Sequence, residues 1–176
     1  MSKIRVLIVE DERIVAQEIE YALDRMGYEI VDIISKGEQA IQVAGETKPD
    51  LILMDIRLEG DLDGVEAANR IRDEHHLPVI FLTAFADEET LQRAKISEAY
   101  GYILKPFREN ELHTAIEMAL YKADVERQLK ENRQRLTTTL LSINAFDFNT
   151  RSSLPEDKTT SSNFLCSWFR LPTSTV

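Results

Sequence analysis

Short, almost uninterrupted apolar runs recur along this chain, separated by stretches with helical spacing. The runs are IRVLIV (4–9), EIVDIIS (29–35), LILM (51–54), VIFLT (79–83) and AYGYIL (99–104). A strand that is apolar at nearly every position is covered on both faces, which marks a parallel sheet between two layers of helices. Between the runs, Ile14, Val15, Ile19, Ala22, Leu23 and Met26 repeat at steps of three and four. Ala40, Ile41 and Ala44 do the same, then Val65, Ala68 and Ile71, then Leu91 and Ala94 in a helix expected near 87–96. Gly27 is placed to cap the first of these helices. The pattern predicts an α/β fold: a doubly wound, five-stranded parallel sheet of flavodoxin-like order 2-1-3-4-5 with right-handed crossovers.

The first, third, fourth and fifth of these strands then end on polar residues. Glu10 and Asp11 follow the first, Asp55 the third, Thr83 closes the fourth, and Lys105 follows the fifth. In such a sheet ligands bind at the carboxyl ends of the strands, beside the switch in strand order. Residues far apart in the chain would therefore meet in one cleft. Any one of them alone would be an ordinary turn, cap or loop residue; all of them at the same ends of the right strands are not. Three carboxylates, a hydroxyl and an ammonium suit a divalent cation together with an oxyanion. Mg²⁺ fits best, with Asp11 and Asp55 as side-chain ligands, Glu10 direct or through water, and the backbone carbonyl of Arg57 beside them. Asp55 would then be a nucleophile toward a phosphoryl group, Lys105 a partner for its oxygens and Thr83 a hydroxyl donor.

The segments VLIVEDE, LILMDIRLEG, VIFLTA and GYILKPF resemble the receiver (CheY-like) domain of two-component response regulators, over about residues 3–122. The resemblance implies Mg²⁺-dependent phosphotransfer onto Asp55 from a phosphohistidine of a sensor histidine kinase or phosphotransfer protein. It implies that Glu10 and Asp11 are the acidic pair, that Thr83 and Tyr102 form a switch, and that Lys105-Pro106 is a cis peptide. On phosphorylation Thr83 would move toward the phosphate and Tyr102 inward, changing the face formed by the helix near 87–96, the fifth strand and the final helix. Such a protein is a phosphoacceptor signalling domain rather than an enzyme. The first acidic residue is Glu where receivers often have Asp, and the loop LEGDLDG after Arg57 lacks their frequent proline. Asp61 and Asp63 in that loop are read as turn residues. The resemblance also implies that Phe85 flanks the phosphoryl group, where it would shield it from attacking water.

From about Arg108 a helical pattern continues well past 122. Met118, Val125, Leu129, Asn132, Leu136, Thr139 and Ile143 follow steps of seven, four and three, a heptad-like seam broken by two polar residues. Residues 123–143 are thus a helical linker, either one long surface helix or a coiled coil that pairs two chains into a homodimer. Residues 144–176 are rich in Ser and Thr without a period, and are expected to be a tail of low order. RQRLTTTLLSI resembles the lead-in to a PAS domain, which would make the chain a truncated receiver–PAS protein. A net charge of −10 argues against direct nucleic-acid binding through a basic face. No apolar run is long enough for a membrane span, and MSKIRVLIVEDE has no signal-peptide layout, so the expected place is the cytoplasm. The single Cys166 rules out an intramolecular disulfide. His75, His76 and His113 are read as surface residues. Two other functions are weighed: a structural dimerisation module that works without phosphorylation, and a Mg²⁺ hydrolase passing through an aspartyl phosphate. The hydrolase would need a DxD motif, and Asp55-Ile56-Arg57 lacks the second aspartate.

Overall fold

The computed structural model of the chain describes residues 3–84 and 99–151, with side chains as far as Thr139. The helix expected near 87–96, Phe85 and Cys166 lie outside the described residues. The elements are β1 (Arg5–Val9), α1 (Arg13–Arg25), β2 (Glu29–Ile34), α2 (Gly37–Thr47), β3 (Leu51–Asp55), α3 (Gly64–His75), β4 (Val79–Thr83), β5 (Gly101–Leu104) and α4 (Glu109–Arg151). All strands are parallel, and their order is β2-β1-β3-β4-β5. The predicted topology is therefore the one observed. The chain divides into two units at residues 132 and 133, and the sheet belongs wholly to the first.

Side chains alternate across the sheet as the pleat requires. Leu7, Val9, Ile52, Met54, Val79 and Phe81 enter one core, with Ala40 and Ala44 of α2 and Ala67, Ala68 and Ile71 of α3. Val6, Ile8, Leu51, Leu53, Ile80 and Leu82 enter the other, with Ile19 and Leu23 of α1 and Leu112, Ile116 and Ala119 of α4. The central strands are buried at every position, which explains their uninterrupted apolar sequence.

One expected core residue does not belong there. Ile14 stands 74% exposed, and the buried face of α1 is Ala16, Ile19, Ala22 and Leu23. At 100° per residue, Ile14 lies off the line that Ala16, Ile19 and Leu23 share and faces solvent, while Val15 beside it packs partly against the core. Gly27 does follow the end of α1, with φ +84° and its N–H donated to the Asp24 carbonyl.

The lower part of α4 is tied to the β2 edge by Tyr28. Its ring is buried, and its hydroxyl donates to Glu117 Oε1 at 3.1 Å while meeting His113 Nδ1 at 2.9 Å. Burial, reinforced by the Glu117 carboxylate, pushes the phenol up to about 12. Tyr28→Phe keeps the ring and removes this hydroxyl, so it should cost about 1 kcal/mol in a urea titration. An unchanged midpoint would mean the two bonds add nothing net.

Candidate functional site

The period-two alternation that builds the two cores also builds the site. Glu10 follows Val6 and Ile8, Asp55 follows Leu51 and Leu53, and Lys105 follows Ile103, so all three extend from the same face of the sheet. β1 and β3 are neighbours at the reversal of strand order, which sets Glu10 beside Asp55. Lys105 comes from β5, two strands away from β3, roughly 10 Å in the hydrogen-bonding direction. Its four-carbon stem spans that gap. The ammonium lies 2.5 Å from Glu10 Oε2 and 2.5 Å from Asp55 Oδ2. The Lys105-Pro106 peptide is cis.

The backbone fixes each group in turn. Glu10 N–H donates to the Ile34 carbonyl, Ile56 N–H to that of Leu82, and Lys105 N–H to that of Thr83. Asp55 Oδ1 accepts the Arg57 N–H at 2.9 Å. Asp11 Oδ2 accepts the Glu59 N–H at 3.3 Å, which draws the loop after β3 over the cleft. The same loop is anchored below by buried Leu62 and by Asp63, whose carboxylate caps α3 through the Glu66 N–H at 2.9 Å. Asp63 is thus a helix cap, in line with its reading as a turn residue. Thr83 is buried on the opposite face of the sheet, the face of Phe81 and Tyr102, whose rings stack 5.9 Å apart. Tyr102 is half-buried against that core. His75 and His76 lie at the far end of α3, and His113 serves Tyr28; none of the three reaches the cleft.

Electrostatics follow from burial. Glu10 is 2% exposed, and desolvation pushes its carboxyl up to about 7; the Lys105 hydrogen bond opposes this and the Asp55 charge adds to it. Burial works to lower the Lys105 pKa. Its bonds to Asp55 and Glu10, and their charge, outweigh that and hold it above the ordinary lysine value. Lys105 is therefore an ammonium near neutral pH. One oxygen is left over: Glu10 Oε1 is buried and has no hydrogen-bond partner among the described residues. Such an orphan costs about 1–3 kcal/mol unless something supplies positive charge.

A hard divalent cation would do so. Glu10, Asp11 and Asp55 each offer an oxygen, and the three lie within 4.8 Å of one another. An all-oxygen, anionic donor set with one oxygen unsatisfied fits Mg²⁺ in chemistry and charge.

The titration of Glu10 carries a sign. A carboxyl raised from 4.5 to about 7 on folding binds its proton more tightly in the native state. The stability it contributes is full below about 4.5 and is lost as pH rises through about 7. In chelator, the parent should therefore lose stability relative to Glu10→Gln across that window, on the order of 1 kcal/mol after the sharing of charge with Lys105 is allowed for. Parallel pH profiles for the two proteins would contradict the burial assigned to this carboxyl.

Residues 6–117 match the family model described as the response regulator receiver domain. The chain belongs to the response regulator receiver domain family. Among curated relatives it is 38% identical over 116 residues to the transcriptional regulatory protein PdtaR of Mycobacterium tuberculosis, a match covering 66% of this chain and 56% of that one. The receiver thus spans little more than half the length of that relative. Among solved structures, the signal receiver domain of a modulated diguanylate cyclase from Desulfovibrio desulfuricans G20 is 42% identical with a TM-score of 0.68, covering 71% of this chain and 99% of the other. The receiver domain of sensor histidine kinase PA1611 from Pseudomonas aeruginosa PAO1 is 31% identical with a TM-score of 0.63, covering 68% and 98%. That crystal structure has a magnesium ion coordinated in its active-site cleft.

The receiver brings Glu10, Asp11, Asp55 and Lys105 together as its sequence suggested, and sets Thr83 at the end of the adjoining strand. Sequence reasoning missed Gly64. A Cβ there would run into the carbonyl group of Asp55 and the Cα of Ile56, so α3 starts in direct contact with the end of β3. Its signal was the glycine after Asp63, read only as part of a turn.

Proposed function

We propose that this receiver takes a phosphoryl group on Asp55 from a phosphohistidine of a sensor histidine kinase or phosphotransfer protein. The cofactor is Mg²⁺, held by Glu10, Asp11, Asp55 and the Arg57 backbone carbonyl. The observation that carries the reading is the Lys105 ammonium shared between the Glu10 and Asp55 carboxylates, with an unsatisfied Glu10 oxygen beside them. Mg²⁺, when bound, supplies positive charge against the phosphoryl oxygens and lets three carboxylates stay ionised together. The chain does the rest. A carboxylate oxygen of Asp55 attacks phosphorus as the bond from phosphorus to the donor imidazole nitrogen breaks, and that nitrogen keeps the electron pair. The Arg57 N–H keeps the Asp55 carboxylate turned toward the cleft. Lys105 leaves Asp55 Oδ2 and pairs with the phosphoryl oxygens, so its charge is never left alone.

The phosphoryl group adds about 1.5 to 2 negative charges and new acceptors. Thr83 donates its hydroxyl to it, and Tyr102, already stacked on Phe81, turns further inward into the space this leaves. The two states pre-exist, and phosphorylation shifts their populations. The surface of β5 and its flanking helices changes with them and controls a downstream protein partner in the cytoplasm. Residues 3–122 form the receiver and 123–143 the helical linker. α4 continues past 143 to Arg151. Among the described residues no helix is long and apolar enough to cross a membrane.

Incubation with Mg²⁺ and acetyl phosphate or phosphoramidate, read by intact mass, tests the proposal. One added phosphoryl group that needs Mg²⁺ and is released by hydroxylamine is the expected result. No adduct from these donors or from a phosphorylated kinase, with no Mg²⁺ binding, would leave a module that works without phosphorylation.

A further inference from the structure

The loop that closes over the cleft is anchored from the other face of the sheet. Residues 56–63 join β3 to α3, whereas most connections between a strand and a helix in such folds run about 2–6 residues. A loop of that length moves unless side chains fix it. Leu62 is buried and enters the core that α2 and α3 share with the sheet. Its backbone passes over the first residue of α2, Gly37, which is itself buried. A Cβ on Gly37 would stand 2.9 Å from the Leu62 carbonyl oxygen, 3.1 Å from the Ala67 Cβ and 3.4 Å from the Leu62 Cβ. A side chain there would lift the loop off its seat.

The seat matters at the cleft end of the loop. Glu10, Asp11 and Asp55 offer oxygens within 4.8 Å of one another, and like charges this close repel. Lys105 offsets the repulsion for Glu10 and Asp55, to which it is bonded. Asp11 is held by a different group, the Glu59 N–H, which meets its Oδ2 at 3.3 Å. Asp11 is half-buried, so without that bond its side chain is free to rotate away from the other two carboxylates and out to water. Glu59 stands three residues before Leu62. Its N–H stays in reach of Asp11 only while Leu62 stays seated.

We propose that Leu62 and Gly37 are positioning residues for the metal site: the Leu62 side chain, seated over Gly37, holds the loop so that the Glu59 N–H turns Asp11 toward Glu10 and Asp55 before the cation arrives. Both roles presuppose the Mg²⁺ proposed for the cleft. Neither residue is a ligand; both act through Glu59 and Asp11. A donor set ordered in advance spares the cation the cost of ordering it. Partners that orient metal ligands typically change metal affinity by about 10–100-fold when they are lost.

Leu62→Ala empties the seat, and Gly37→Ala lifts the loop from it. Calorimetric titration of the full, unphosphorylated chain with Mg²⁺ alone should show binding weakened about tenfold in each. Leu62→Val, a milder truncation, should fall between Leu62→Ala and the parent. Leu62→Met refills the same space and should restore the parent's affinity. Val79→Ala is the control. Val79 is buried like Leu62 but opens β4, at the opposite end of the sheet from the cleft. That variant should lose stability and keep its affinity. Nuclear magnetic resonance of the metal-free chain gives a second readout. In the parent, Asp11→Ala should move the Glu59 amide proton upfield as its acceptor is lost. In the Leu62→Ala chain that proton should already lie upfield and should not respond to Asp11→Ala. Parental Mg²⁺ affinity in Leu62→Ala or Gly37→Ala, or equal weakening in Val79→Ala, would overturn the inference while leaving the Mg²⁺ site standing. So would a Glu59 amide that answers Asp11→Ala alike in both backgrounds. A parent that binds no Mg²⁺ would overturn the site and the positioning roles together.

Discussion

Asp55→Asn is expected to fold as the parent does and to take no phosphoryl group at all. The substitution is nearly isosteric, and the asparagine oxygen can still accept the Arg57 N–H that Asp55 Oδ1 accepts now. The amide nitrogen then faces Lys105, a donor against a donor, in place of the present ion pair. Losing that charged bond costs about 2 kcal/mol. A gain opposes it, because the Asp55 charge is one of the causes that push Glu10 up, and Glu10 keeps its own bond to Lys105. The net change in a urea titration should therefore stay within about 1 kcal/mol. Reactivity is different in kind. An amide has no anionic oxygen to attack phosphorus, and neither Glu10, buried and paired, nor Asp11, tied to Glu59, takes its place. Intact mass after acetyl phosphate treatment should show the parent modified and the variant unmodified. Full modification of the variant would place the acceptor elsewhere.

What could be read in advance divides along physical lines. The strands were legible because β1, β3 and β4 are buried on both faces, so nearly every position had to be apolar. Their terminal polar residues were legible for the same reason, since Glu10, Asp55 and Lys105 break otherwise apolar runs. The margins were harder. Ile14 looked like core because it sits at helical spacing from apolar neighbours, yet one face of a helix is set by what it packs on, and in α1 that face runs through Val15, Ala16 and Ile19 and leaves Ile14 outside. Tyr28 gave no signal, because its partners His113 and Glu117 are 85 and 89 positions away. The capping role of Asp63 was visible as local turn chemistry. The tight approach of Gly64 to Asp55 was not, because it depends on how the loop folds back over the cleft.

That approach makes Gly64→Ala, a change of one methyl group, strongly destabilising. Gly64 N–H donates to the Ile56 carbonyl at 3.1 Å, which holds the first residue of α3 against the end of β3. A methyl group at this position meets the carbonyl of Asp55 and the Cα of Ile56, all backbone atoms that cannot rotate aside. Overpacking of this kind costs about 1–3 kcal/mol where side chains can adjust, and here none can, so a loss of about 3 kcal/mol is expected despite the better helix propensity of alanine. Relief comes only by moving the end of β3 or the start of α3. The first displaces the Asp55 carboxylate from Lys105 and from the other two carboxylates; the second loosens the loop that Asp11 holds through Glu59. Mg²⁺ affinity and phosphoryl acceptance should therefore fall together with stability. Gly27→Ala is the matching control. Gly27 has φ +84°, and a Cβ at this position would meet nothing within 4 Å, so alanine there costs only the left-handed backbone, about 1 kcal/mol, and leaves Mg²⁺ binding unchanged. If the two alanine variants lose the same stability and bind Mg²⁺ alike, the contact between α3 and Asp55 does not position the site.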